Sequence, residues 1–267
     1  EDVVAQDEAH RVFADEFLAD KERLGQAVRG RLFRVLQAET VIRAVAKQAT
    51  EARKVLRCRD QKNIPEPRQL DTLFKGRRSV RHYKRENVSP GLLQELLDSA
   101  AYAPTGSNAQ NLLVSVVDDI AAMDALREAV YLRLDELAET GAMPDCQRRA
   151  FFLSAGKLWK AGGWDGIFRS APHCVIVANA KNATCVEQDP LIYLSYFELM
   201  AQARGIGTLW CGLLYWCLRD VLPDFLPRLG IPDTHQLGYA MLFGYPSINY
   251  RRTVETRSAL VRHIGWN

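Results

Sequence analysis

The stretch Gly76-Arg77-Arg78-Ser79-Val80-Arg81 places three guanidinium groups and a hydroxyl within five residues. In extended backbone, alternate residues face the same side, so Arg77, Ser79 and Arg81 share one face. Such a set suits a phosphate, because Arg offers bidentate, charge-assisted hydrogen bonds. The plain alternative is a solvated basic run beside a helix. The rest of the chain decides between the two.

Lys and Arg number 35 against 32 Asp and Glu, leaving +3 on 267 residues. That small excess excludes a generally basic nucleic-acid binder and confines any anion site to a local cluster. A hydrophobic fraction of 48% is enough for a sizeable core and excludes disorder over most of the chain. The longest apolar run, Leu209–Leu218, is half of what a bilayer crossing needs, so no membrane span is expected. The cysteines at 58, 146, 174, 185, 211 and 217 show no CxxC spacing. This argues against a zinc ribbon, a redox dithiol motif or an iron–sulfur run, and reduced thiols are expected. No charged segment followed by an apolar stretch opens the chain, and a cytoplasmic setting is expected.

Residues 1–62 carry helical spacing in Leu24, Val28, Leu32 and Val35, which predicts a helical extension. Residues 63–70, with Asn63-Ile64-Pro65-Glu66-Pro67, read as a linker, and a domain is expected over 71–267. Asp71–Lys75 reads as a short helix. Ser89-Pro90 predicts an N-cap and first turn, with an amphipathic helix following. Leu112–Val117, His173–Ala178 and Leu237–Phe243 read as buried strands. Between the last two, Pro190–Arg204 is apolar on nearly all sides and must be buried in a core or between two copies. Strands scattered among helices give an α+β class.

Three further segments can carry chemistry. Pro104-Thr105-Gly106-Ser107-Asn108-Ala109-Gln110 is a turn between a helix and a strand. Asn108 and Gln110 supply the donors and acceptors that a heteroaromatic ring with carbonyls and an imide N–H requires, or they belong to a plain connection. Gly205–Gly212, with Thr208, Leu209, Trp210 and Gly212, allows close backbone approach to a ligand. It does not open a helix after a strand, so a dinucleotide-binding fingerprint is not supported. Phe243-Gly244-Tyr245-Pro246 ends a strand and leads to Arg251, Arg252 and Arg257. The five histidines lack metal-ligand spacing, no G-x-S-x-G elbow is present, and Cys211 and Cys217 read as packing residues.

The order and content of these four segments resemble the FMN-dependent nitroreductase family over roughly residues 68–257. The Asp165–Pro172 stretch resembles that family as well. The likeness is to the branch often fused to a ferredoxin domain, and residues 1–62, with the single Cys58, cannot hold a cluster. Asn111 stands where many members have Pro. The resemblance implies a mixed or antiparallel sheet flanked by helices, an intertwined homodimer and FMN as cofactor. It assigns Arg77, Arg78, Ser79, Arg81, Pro104, Thr105, Asn108, Gln110, Thr208, Leu209, Trp210, Gly212, Arg251 and Arg252 to the cofactor. Arg77 and Ser79 would take the phosphate and ribityl chain, and Arg81 the N1–C2 carbonyl region. Asn108 and Gln110 would take the pyrimidine edge, a backbone N–H near Leu209 would face N5, and Arg252 would close the phosphate site. Phe151, Trp159 and Trp164 fall in the variable lid, where they either stack on substrate or fill the core. The implied activity passes hydride from NAD(P)H to a nitroaromatic or quinone by a ping-pong cycle, with no catalytic side chain. Other chemistry on the same fold, namely dehalogenation, dehydrogenation or flavin degradation, is the nearest alternative. A non-enzymatic flavin or anion binder is the more distant one.

Overall fold

The computed structural model describes residues 64–253 and 259–266. The helical extension expected over residues 1–62, and Arg257, lie outside them. Helix α1, Pro67–Gly76, begins inside the expected linker. Pro67 stands at its first turn, and the Gln69 side chain accepts the Glu66 N–H at 3.1 Å, so capping extends the helix N-terminally of Asp71. Helix α2, Pro90–Ala100, starts as expected, with the Ser89 hydroxyl accepting the Leu92 N–H.

Strand β1 spans Leu112–Val117, the bounds expected for it, and β2 spans His173–Ala180. Between them lie α3, Ile120–Glu139, and α4, Arg149–Gly162. Asp119 caps α3 by accepting the Ala121 and Ala122 N–H groups. Helix α5 spans Gln188–Ala203, followed by β3, Gly207–Trp210. A short α6, Gly212–Trp216, runs into a π-turn at Cys217–Val221, and β4 closes the order at His235–Gly244. Strand β3 was not among the strands expected from sequence. Four residues that start on a glycine are too few to show period-two patterning.

The four strands form one antiparallel sheet in the order β1-β2-β4-β3. Side-chain alternation gives the sheet two buried faces. Cys174, Ile176, Leu209, Ala240 and Leu242 point into a core with α3, α4 and α6. Val175, Val177, Met241 and Phe243 point to α2 and α5. Phe197 of α5 is fully buried and meets Phe243 edge to face at 5.4 Å, an arrangement worth about 1 kcal/mol beyond the area it buries. Helix α5 is less enclosed than its composition suggests. Tyr193, Leu194, Phe197 and Ala201 are buried, while Leu191 and Tyr196 are 40% and 42% exposed. The open stripe, completed by Ile192 and Leu199, is largely apolar, with the exposed Ser195 among them.

Candidate functional site

The arginine segment, residues 76–84, lies along the outer edge of β3. Ser79 pairs with Thr208 in a parallel bridge, and the Val80 N–H donates to the Thr208 carbonyl at 2.8 Å. Further on, Tyr83 bridges to Pro246 and the Lys84 N–H donates to the Tyr245 carbonyl. Val80 is buried, Arg77, Arg78 and Ser79 are half-buried, and Arg81 and His82 are exposed. Gly207 makes the approach possible, since a Cβ there would come within 2.6 Å of the Val80 side chain.

A carboxylate that the sequence reading missed organises this edge. Glu198, on α5, is 6% exposed. Its Oε1 accepts from the Thr208 hydroxyl at 3.1 Å and from Arg77 at 3.3 Å, and its Oε2 accepts from the Trp210 indole at 3.0 Å. The remaining guanidinium nitrogens of Arg77 have no partner among the described residues, so the fork is held at one corner and open at the other. Arg78 is committed elsewhere. It donates to the carbonyls of Lys75, Arg77 and Arg252, the last at 2.5 Å, and so pins the Tyr250–Arg252 segment to the arm. Arg251 and Arg252 are themselves exposed. Arg78 therefore fastens the chain, which leaves Arg77 as the open cation of the pair.

The ladder also decides which backbone groups face outward. The Cys211 N–H donates to the Ala240 carbonyl, and the β3–β4 register pairs Leu209 with Leu242. By alternation the Leu209 N–H also turns toward β4, while residues 208 and 210 present theirs to the open edge. The outward N–H groups next to Leu209 are therefore those of Thr208 and Trp210. Gly212 sits where a Cβ would meet the Tyr239 hydroxyl and the Trp216 ring.

The Pro104–Gln110 loop is built differently. Ser107, Asn108 and Gln110 all have φ between 50° and 54°, the left-handed region that costs a side-chain-bearing residue about 1–2 kcal/mol. Thr105 closes the loop from within, its carbonyl accepting the Asn108 N–H and its hydroxyl the Gln110 N–H. Asp189, at the start of α5, accepts the Gly106 N–H at 3.0 Å. Pro104, Asn108 and Gln110 are exposed. No hydrogen bond joins this loop to the arginine arm among the described residues. Asp189 and Glu198 are nine residues apart on α5, two and a half turns or about 13 Å along the axis, and so face opposite sides.

The expected lid aromatics divide. Trp159 stacks on Tyr131 at 4.8 Å and donates to Glu128, so it joins α4 to α3. Phe151 and Trp164 form a tilted pair at 5.9 Å, with Trp164 43% exposed. Between them and β2, Asp165 accepts from Arg127, Tyr131 and the N–H groups of Phe168 and Ser170. That carboxylate is consumed in holding the Asp165–Pro172 turn. Burial pushes the thiols of Cys174 and Cys211 up to about 12, so both stay protonated and neither is a nucleophile. Burial likewise raises the Tyr83 phenol, whose hydroxyl donates to the Val80 carbonyl. Among the described residues, no three His, Cys, Asp or Glu side chains converge as metal ligands. No described helix is long and apolar enough to cross a membrane.

An antiparallel sheet sandwiched between helices, with a cationic arm at its edge strand, defines an α+β protein. The chain belongs to the Nitroreductase family, whose model matches residues 74–245, and is thus an oxidoreductase. It is 46% identical over 195 residues, 64% of this chain and 86% of the relative, to a protein of Thermus thermophilus named NADH dehydrogenase. The fold is similar to a nitroreductase of Bacteroides fragilis solved with bound FMN. The TM-score there is 0.58 at 22% identity, covering 73% of this chain and 98% of that one. It is also similar to a nitroreductase of Desulfitobacterium hafniense with bound FMN, at TM-score 0.54 and 24% identity over 74% of this chain and all of that one. The expected α+β fold and family are thereby shown.

Proposed function

We propose that the chain is an FMN-dependent oxidoreductase that takes hydride from NAD(P)H and passes it to an electron-poor acceptor, a nitroaromatic or quinone, in a ping-pong cycle. The observation that carries this reading is the arginine arm zipped to the edge of β3, with the Arg77 fork anchored on Glu198 and open outward. The donor set suits FMN. The free corner of Arg77 and the Ser79 hydroxyl are placed for a phosphate, and Arg252 is brought to the same place by Arg78. The Trp210 N–H, on the open edge, matches a ring acceptor atom. The exposed amides of Asn108 and Gln110 match a pyrimidine edge.

When bound, FMN supplies two-electron hydride transfer at its ring. This chain's residues then bind and orient. Arg81 would lie near the ring region around N1, where electron density grows on reduction, and its positive charge would favour the reduced form for that reason. Shared access of donor and acceptor to one ring face makes the cycle ping-pong.

The working unit is a homodimer in this reading. One chain holds its arm and its loop on opposite sides of α5, and a second copy brings a loop next to an arm. The apolar stripe of Leu191, Ile192, Tyr196 and Leu199 gives that second copy a surface to cover. Small-molecule substrates and a cytoplasmic setting complete the reading.

The test is the visible spectrum of the purified chain after incubation with FMN, followed by anaerobic NADH or NADPH and then by an acceptor panel. Flavin absorbance that bleaches with the nucleotide and returns with a nitroaromatic or quinone is the expected course. Return only with a halogenated substrate would move the assignment to reductive dehalogenation, and bleaching of the oxidised flavin by a saturated substrate would move it to dehydrogenation. A protein that takes up no flavin would leave it an anion binder.

A further inference from the structure

The buried carboxylate of Asp189 has no role in the reading so far. It is 3% exposed, and no cation pairs with it among the described residues. An ionised carboxylate withdrawn from water without a cation is costly, so its place calls for a reason. Its two oxygens have two separate duties. Oδ1 accepts the Gly106 N–H at 3.0 Å, across 83 residues of sequence, and Oδ2 accepts the Asn179 side-chain amide at 3.3 Å. Asn179 is fully buried, and its Nδ2 also donates to the Cys185 carbonyl, which accepts the Asp189 N–H as well. The position in the first turn of α5 favours the negative charge. A Cβ on Gly106 would come within 2.7 Å of the Cys185 sulfur, so the loop's base is seated tightly against this cluster. Immediately beyond Gly106 come the left-handed residues Ser107, Asn108 and Gln110.

We propose that Asp189 is a positioning residue: by holding the Gly106 amide it fixes the strained Pro104–Gln110 loop, and with it the amide side chains of Asn108 and Gln110, in the conformation that receives the flavin ring. This rests on the flavin reading above. Left-handed backbone at three side-chain-bearing residues persists only where its surroundings over-determine it. Thr105 supplies the internal closure, and Asp189 supplies the fastening to the body. The carboxylate acts on the ring end of the ligand alone, because the phosphate end belongs to Arg77 and Glu198, on the other side of α5.

The test titrates the purified full chain with FMN and with riboflavin, following flavin fluorescence, alongside amide hydrogen exchange over residues 104–110. Asp189→Asn keeps the shape but has one oxygen for two donors, so its NH2 must face Gly106 or Asn179. The expected result is that FMN and riboflavin affinities fall by the same factor, at least tenfold, and that the loop amides exchange at least tenfold faster. A purely structural carboxylate would lower the melting temperature and leave both affinities within twofold of wild type, which would overturn the proposal. A loss confined to FMN would overturn it too, by placing the effect at the phosphate. If Asp189→Asn does not fold, Asp189→Glu keeps the charge and displaces the oxygens by one methylene, with the same equal losses expected. The controls are Asn108→Ala and Gln110→Ala. If they weaken flavin binding and Asp189→Asn does not, the positioning role alone fails. If they too have no effect, the placement of the ring at this loop fails, and the inference with it.

Discussion

Residues 77–84 leave α1, meet the open edge of β3 at Ser79 and continue to Pro246, whereas residues 104–110 turn into left-handed backbone three times. Both segments are tied to α5 by a buried carboxylate. In the arm, Glu198 meets a cation and two neutral donors, and the sheet edge keeps the backbone in an ordinary conformation. In the loop, Asp189 meets only neutral donors, and the backbone is strained. The difference separates two ways to prepare a binding surface. The arm gains order by joining a sheet, so its side chains are free for chemistry. The loop has no sheet to join and needs a peg.

The contrast is broken most forcefully at Glu198. Glu198→Ala leaves the Thr208 hydroxyl and the Trp210 indole without their acceptor in a buried place, and stability should fall by about 3 kcal/mol. Urea unfolding of both proteins measures it, and a loss under about 1 kcal/mol would show that the arm orders itself without the carboxylate. Arg77→Ala should leave the fold intact and weaken FMN binding by about 2 kcal/mol, the scale of a charge-assisted contact, with riboflavin little affected. Calorimetric titration with the two ligands distinguishes that result from a general loss. On the loop side, Gly106→Ala forces a methyl against Cys185 and should destabilise by about 1–2 kcal/mol, with part of the cost recovered in Cys185→Ala.

Two finer effects sharpen the comparison. Arg81→Met should lower the flavin midpoint potential by about 30 mV, which for a two-electron couple is about 1.4 kcal/mol of differential stabilisation. Spectroelectrochemical titration checks it, and equal potentials would remove Arg81 from the ring. The smallest effect concerns pH and belongs to the arm. The Val88 N–H, just past the arm, donates to His173 Nε2 at 3.0 Å. Burial holds the His173 imidazole below its ordinary value of 6.5, outweighing the pull of Asp118 and Asp119 in the other direction. Between the folded value and 6.5 the unfolded chain binds more protons. The contribution is therefore complete above pH 6.5 and declines as pH falls through the folded value. Urea midpoints measured across that window should fall in wild type and flatten in His173→Gln.

How far the sequence carried each part follows from the same contrast. Strand β1 was legible because Leu112–Val117 is a short, largely apolar run with β-branched residues, and α2 because Ser89-Pro90 announces its start. Strand β3 was not, since Gly207–Trp210 borrows its strand character from β4 and from Val80. Neither carboxylate of α5 was legible either. The helix reads as apolar, and the groups that explain Asp189 and Glu198 stand 83 and 121 residues away.

The parallel bridge at Ser79 has one more consequence. A four-residue strand at the rim of a sheet offers unpaired amides and carbonyls to any passing chain, and such rims seed aggregation. Here the rim is closed by the arm that carries the arginines. Loosening the arm by substitution at Glu198 would open the rim of β3 as well as the phosphate corner. Loss of ligand and loss of solubility should then appear together, with light scattering rising first in those variants whose arm has come away.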